Sequence, residues 1–403
     1  MTPPRIPAHR LRAALALVAA LVALAPASAS ALAEPVGEPF NAGSYYGYGL
    51  AFNEATGRAI IAGATDTGDG HFAFLDGTGP LSESGDYPDS WLESSSTDVA
   101  ANAATGDHLV VFTRSGGVHG MLVGADGEQG APFAIAAQGT RPAVALDPRA
   151  QEYLVVWADD GVIRAKRVSA AGAPLGSGVS RVSDRTSGNA APDVAARPGG
   201  GWLAVWQTAK GSATEVVGQD VGPSGRDRGP DDFAVSSHRN LAGRSQNAEP
   251  TVAVDTRGAA LVTFSDAYEI YAQRVSTANA RVGAGVRVSS MGPDGERAYE
   301  AHGPSVAFHP RAGSYLVAWT GNDAAPLTAG RAPRDAYGQH LGANGTPVGP
   351  DDFRLSAVSE TDLGAETDVV ADPRGREFIA TWLDGYPDHN GEAGTFVRRV
   401  VAP

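Results

Sequence analysis

Downstream of residue 34, apolar and polar positions alternate with a period of two, in short runs broken by Gly, Pro, Asn and Asp. That period belongs to strands, whose successive side chains point to opposite faces. The runs are also copies of one another. VALDPRAQEYLVVWADD from Val144 matches VAANAATGDHLVVFTRS from Val99, VAARPGGGWLAVWQT from Val194, VAVDTRGAALVTFSD from Val252, VAFHPRAGSYLVAWTG from Val306 and VVADPRGREFIATWLDG from Val369, with a weaker copy, LAFNEATGRAIIAGATD, from Leu50. Each reads as a strand, a turn and a second strand ending on an aromatic. The aligned positions are Gly63, Phe112, Trp157, Trp206, Phe264, Trp319 and Trp382, at spacings of 49, 45, 49, 58, 55 and 63 residues. Recurrence of an aromatic at one position of every unit predicts packing between units, not a platform for sugars.

A third strand follows in VIRAKRVSAAGAPLG, EIYAQRVSTANARVG and DAYGQHLGANGTPVG, and a fourth in PFAIAA, VSRVSD, DFAVSS, VRVSS and DFRLSA. Four strands per unit of about 50 residues with Gly-rich turns specify a propeller blade. The predicted fold is therefore all-β, a seven-bladed β-propeller of four-stranded antiparallel blades. The last unit ends at TFVRRVVAP, one strand short, while EPFNAGS around Phe40 has the fourth-strand pattern and no unit of its own. The N-terminal strand is expected to complete the last blade, which closes the ring and leaves no free edge. An open solenoid needs capping units and separate sandwiches need linkers, and neither pattern is visible. Six or eight blades are the nearest variants.

YLVVWADD, EIYAQRVS and DAYGQHLGANGTPVG together resemble a repeat found in tandem in exported bacterial β-propeller proteins. The resemblance runs from about Leu50 to the C-terminus and departs most at Gly63, where an aromatic is expected. It implies a fold and export, and no particular activity, because the matching residues are strand and turn positions.

Residues 1–33 have a different character: Arg5, Arg10 and Arg12 precede an uncharged apolar run from Ala13 to Ala25, then Pro26 and small-residue triplets. This is the pattern of a cleaved signal peptide, too short to span a bilayer, so the expected domains are a 1–33 signal peptide and a single 34–403 propeller in an extracellular protein. The chain of 403 residues contains no Cys, which excludes disulfide frameworks, thiol enzymes and lipid attachment at a cleavage site. Its formal net charge of −14 becomes about −17 without the three leader arginines, and so acidic a surface repels nucleic acid. The mature chain is expected to be a monomer, not inserted in a membrane, whose partner is a glycan or an extracellular protein.

The turns between first and second strands, and between third and fourth, are short and alike. The other two sets of connections vary widely in length and in an antiparallel meander emerge together, so that end of the ring is the predicted binding face. Its candidate ligand-binding residues are Tyr46, Trp91 and Arg239, then Arg297, Tyr299 and His302, then Arg334, Tyr337, Tyr386 and His389. Tyr and Arg suit sugar faces, carboxylates and protein hot spots, although long polar loops are often merely solvated. Asp384, Asp388, Asn390 and Glu392 set four oxygen ligands within nine residues, a candidate calcium site that fits no standard loop, so no cofactor is required and Ca2+ is the only one suggested.

No nucleophile elbow, zinc-helix motif, P-loop or dinucleotide fingerprint occurs. TDTGDGHF from Thr65 approximates an aspartate-box turn, with Ala64 where the hydroxyl residue belongs. Arg297, Tyr299 and His302 are the types that β-elimination of a uronic-acid polymer needs, a charge neutraliser with a base and an acid. The preferred reading is a secreted, non-enzymatic propeller that binds a glycan or protein through the variable face. The alternatives are a polysaccharide lyase or glycoside hydrolase using the same face, and a purely structural surface component.

Overall fold

The computed structural model describes residues 35–43, 45–65, 69–76, 80–87, 97–211, 213–236, 248–293, 299–323, 334–356, 365–384 and 394–403. Within them there are 28 strands and no helix, arranged as seven four-stranded antiparallel sheets. The expected 1–33 segment lies outside them.

The chain opens with β1 (Pro35–Asn41). Blade 1 is β2 (Tyr46–Asn53), β3 (Arg58–Ala64), β4 (Gly70–Leu75) and β5 (Pro80–Tyr87); blade 2 is β6 (Thr97–Ala101), β7 (His108–Arg114), β8 (Gly117–Val123) and β9 (Phe133–Ala136). Blade 3 comprises β10 (Thr140–Asp147), β11 (Glu152–Asp159), β12 (Val162–Ser169) and β13 (Ser180–Arg181); blade 4 comprises β14 (Asn189–Ala196), β15 (Trp202–Lys210), β16 (Ala213–Val221) and β17 (Asp227–Ala234). Blade 5 holds β18 (Thr251–Val254), β19 (Ala260–Asp266), β20 (Glu269–Val275) and β21 (Arg281–Arg287); blade 6 holds β22 (Ala301–His309), β23 (Ser314–Gly321), β24 (Asp335–Gly342) and β25 (Pro347–Arg354). Blade 7 contributes only β26 (Ala365–Asp372), β27 (Glu377–Asp384) and β28 (Gly394–Val401) of its own.

Its fourth strand is β1. Pro35 pairs with Val400 and Phe40 with Val397, so the expected closure is present. Beyond the ladder, Ala42 N–H donates to the Thr395 carbonyl at 2.8 Å, and the Thr395 hydroxyl donates to the Tyr45 carbonyl at 3.1 Å.

Period-two alternation in each second strand sends successive side chains to opposite neighbours. In β11, Tyr153, Val155 and Trp157 join the cluster shared with blade 2, whereas Leu154 and Val156 join the one shared with blade 4. Seven apolar clusters result, one per interface, including the seam where Leu50, Ile61 and Leu75 of blade 1 meet Ile379 and Val397 of blade 7. Exposure grows outward, from the nearly fully buried β11 and β23 to the largely exposed β17 and β25.

The recurring aromatic is core packing, as its recurrence predicts: Trp157, Trp206 and Trp319 are fully buried, and Phe112, Phe264 and Trp382 nearly so. It also stacks on the residue opposite it in the third strand: Trp319 on Tyr337, Trp382 on Phe396 and Phe264 on Tyr271, all at 18° between ring planes. Gly63 departs for a steric reason. A Cβ there would stand 2.7 Å from Cβ of Tyr48, because blade 1 approaches this position from its first strand.

Other repeated residues satisfy backbone groups. The Ser of the recurring Val-Ser closes the fourth strand by accepting the N–H that opens the third, as Ser183 does from Ile163, Ser236 from Val216, Ser289 from Ile270 and Ser356 from Ala336. Gln219, Gln273 and Gln339 bond the irregular fourth strand from the third, and Lys166 fills that position in blade 3, donating to Gly176 and Gly178 carbonyls at 2.8 Å each. On the short-turn end, Asx turns at Asn53, Asn102, Asp147, Asp255 and Asp372 reverse the chain.

Deleting Pro35–Asn41 leaves β28 as an unpaired edge. The deletion is expected to lower the melting temperature and to yield dimers or aggregates by size-exclusion chromatography. A monomer with unchanged melting temperature would show that β1 does not close the ring.

Candidate functional site

The first strands of all seven blades face one another around the axis. At the end where the variable connections attach, their leading residues line a cavity of about 470 Å³. A second cavity at the short-turn end is lined by Phe52, Ala101, Phe308, Pro310 and Pro373 among others, and is mostly apolar. Among the described residues the variable-face mouth is acidic: Asp98, Asp193, Glu249, Glu366 and Asp368 line it with a single guanidinium, Arg141.

A shared local sequence creates that mouth. Arg141-Pro142, Ala191-Pro192, Glu249-Pro250 and Gly303-Pro304 occupy equivalent positions, with Glu366-Thr367 in blade 7. Proline has no N–H for the ladder, and the pairing register slips in β10, β14 and β22 at this point. The residue before it turns left-handed: φ is 52° at Arg141, 48° at Ala191, 41° at Glu249 and 66° at Glu366. Each such non-Gly residue stores on the order of 1–3 kcal/mol of strain.

Two residues further on stands the ring of Gly49, Asp98, Ala143, Asp193, Thr251, Ser305 and Asp368. Its aspartates fasten neighbouring blades. Asp98 accepts N–H from Val99 at 2.8 Å and from Val144 of blade 3 at 2.7 Å. Asp193 bridges Val194 and Val252, each at 2.7 Å, and Asp368 bridges Val369 at 2.7 Å and Leu50 at 3.0 Å. Ser305 adds a 2.7 Å bond to Asp368, and Gly49 is needed because a Cβ there would lie 2.6 Å from Cα of Asp98.

The aspartates keep part of their surface on the channel but are otherwise enclosed by protein. Burial raises their pKa values, Asp98 to about 8, Asp193 to about 7 and Asp368 to about 6. The negative charge of Asp193 pushes Asp98 further up, and the donated N–H groups pull all three back down.

The residues chosen from the sequence are placed differently. Tyr46 heads β2, half-buried and opposite Ala64. Tyr299 lies half-buried against the blade 5–6 cluster and over Gly292. His302 pairs with Thr320; its Nε2 is enclosed without a hydrogen-bond partner, and burial, reinforced by Arg334, lowers its pKa to about 4. Arg334 is ion-paired to Glu300. Tyr337 is 1% exposed inside blade 6, and its hydroxyl accepts a 3.0 Å hydrogen bond from Arg354. Asp384 closes β27 opposite Gly394. Trp91, Arg239, Arg297, Tyr386, His389, Asp388, Asn390 and Glu392 lie outside the described residues.

The cavity residues Arg141, Glu249, Glu366 and the three aspartates are the ones that reading the loops missed. The signal for the three aspartates is the acid immediately before the repeat's first Val, in TDVAA, PDVAA and TDVVA; Arg141, Glu249 and Glu366 share the position three residues before that Val.

No family model and no curated protein matches the chain. Among solved structures, a protein of unknown function from Dyadobacter fermentans superposes with a TM-score of 0.53 at 10% identity, covering 92% of this chain and 99% of that one. The β-propeller domain of Cps50 (Swd1) from Myceliophteria thermophila gives 0.52 at 12% identity, over 91% and 99% of the two chains. The WD40 repeats of RRP9 give 0.56 at 12% identity, over 93% and 98%. At such identities the likeness establishes the propeller fold alone.

A carboxylate whose folded pKa is raised holds its proton in the native state at pH values where the unfolded chain has released it. The histidines with pKa lowered to about 4, His108, His302 and His340, oppose this effect most strongly below about pH 6.5, and their opposition fades toward pH 8 as the unfolded imidazoles lose their protons. Between pH 6.5 and 8 the native state therefore binds more protons through Asp98, Asp193 and Asp352, whose pKa values are about 8, 7 and 7, and stability falls as pH rises. Urea titrations across this window should show the decline, with a shallower slope in Asp98→Asn. A flat or rising profile would contradict the assigned environment.

Proposed function

We propose that the protein is an exported, non-enzymatic binding protein that holds a glycan or protein ligand on the variable-connection face, centred on the channel mouth. The carrying observation is convergence. Among the described residues, five carboxylates line the channel at the one end of the ring where the variable connections attach. The opposite end repeats short turns whose polar residues are bonded to the backbone. A rigid scaffold presenting variable segments around a pocket is the usual design of a binding surface. Export rests on the pattern of residues 1–33.

A carbohydrate-active enzyme on the same face is the second reading, favoured by one observation: carboxylates with pKa values near 6 to 8 line a single cavity, in the range useful to a general acid at neutral pH. Against it, the assigned oxygens of these groups already accept backbone N–H bonds that join blades.

A glycan array, an extracellular-protein capture screen and polysaccharide digestion on residues 34–403 separate the two. Binding without products is expected. Product release that drops at least 100-fold in Asp193→Asn, with the variant still folded, would establish the enzyme instead.

A further inference from the structure

We infer that the channel mouth takes an organic cation, the ammonium or guanidinium group of a Lys or Arg side chain presented by a polypeptide partner, with Glu249 and Glu366 as its first contacts. The inference rests on the binding-face reading and adds the chemistry of what enters. Among the described residues five carboxylates and one guanidinium line the cavity; burial keeps Asp98 largely and Asp193 about half protonated at neutral pH, and the carboxylates that stay ionised give a negative field that low-dielectric walls focus along the axis. Its volume of about 470 Å³ admits a long side chain and is in the range of small-ligand pockets.

The donor requirements of the wall point the same way. Asp98, Asp193 and Asp368 already accept N–H groups from two blades each, so they offer their remaining lone pairs, not a converging shell of free oxygens. A cation carrying its own N–H donors complements that wall. Thr97 supplies an independent sign of an absent partner. It lines the same cavity at 6% exposure, and its hydroxyl has no hydrogen-bond partner, whereas the equivalent Thr367 gives its hydroxyl to the Gly303 carbonyl at 3.1 Å.

Arg141 is the opposing charge at this rim. It lies 4.0 Å from Glu249 and competes with an incoming cation for that carboxylate. Relief of this competition is a gain that misfolding cannot imitate.

The test is calorimetric titration of residues 34–403 with three unstructured peptides of one length, Lys-rich, its fully acetylated form and an acidic one, and with spermidine as a free cation. The Lys-rich peptide is expected to bind and the acetylated and acidic peptides not to. Glu249→Gln and Glu366→Gln should each weaken binding about 10-fold, as expected for loss of one charge-assisted hydrogen bond. Arg141→Gln should strengthen it several-fold, and Glu54→Gln, at the far end of the channel, should leave it unchanged. Spermidine binding as tightly as the Lys-rich peptide would replace the polypeptide source by a free polyamine. Equal effects of Glu54→Gln and Glu249→Gln, or no gain from Arg141→Gln, would reduce the attraction to general acidity and overturn the site. Binding of the acetylated or acidic peptide alone would overturn the cation while keeping the binding face. Silence of all four probes, together with failure of the glycan and protein screens, would remove both.

Discussion

The structure depends on closure. A four-stranded blade buries its side chains only between two neighbours, so an open row would leave two apolar faces in water. The chain avoids this by placing its first described strand in its last blade, which turns seven blades into seven equivalent interfaces. The seam between blades 7 and 1 has a core cluster like the others and is further fixed where Asp368 of blade 7 accepts the Leu50 N–H. Without that seam the first strands are not held around a common axis, and the channel has no wall.

The two ends of the ring solve different problems with the same repeat. Asn or Asp in the Asx turns of the short-turn end, Gln or Lys along the irregular outer ladders, and Ser where the fourth strand ends at the variable side each satisfy backbone groups that burial would otherwise leave unpaired. At the variable end, proline removes ladder donors, the backbone turns left-handed and acidic side chains remain on a cavity. Acids set deep in a low-dielectric wall are a destabilising choice, moderated by the N–H groups donated across blade boundaries. That such a choice recurs in three blades is consistent with use of the mouth.

The fold was legible because its determinants are periodic. Alternation fixed the strands, the Trp157-type aromatic fixed the unit length, and the strand deficit after Trp382 fixed the closure. The site was much less legible. Tyr337 has the composition of a ligand-binding residue, yet it occupies the position of Tyr271 and Phe396, where stacking on the preceding strand's aromatic buries it. Alignment of the repeats alone carries that information. Asp98, Asp193 and Asp368 were overlooked for the opposite reason: they stand inside the repeat, next to its first Val, where a polar residue reads as ordinary strand alternation. Only the ring brings them together, since no pair of them is nearer than 95 residues in the chain.

Closure is most directly measured by cross-linking, since the chain has no native cysteine. Phe40 faces Val397 and Asn41 faces Phe396 across the seam, and neighbouring antiparallel pairs alternate in side-chain separation. Double cysteine variants at the two pairs, oxidised and counted for free thiols, should give an intramolecular disulfide in at least one pair, with a higher melting temperature. Two variants that both retain free thiols and link only between molecules would show that the N-terminal strand does not lie against the C-terminal one.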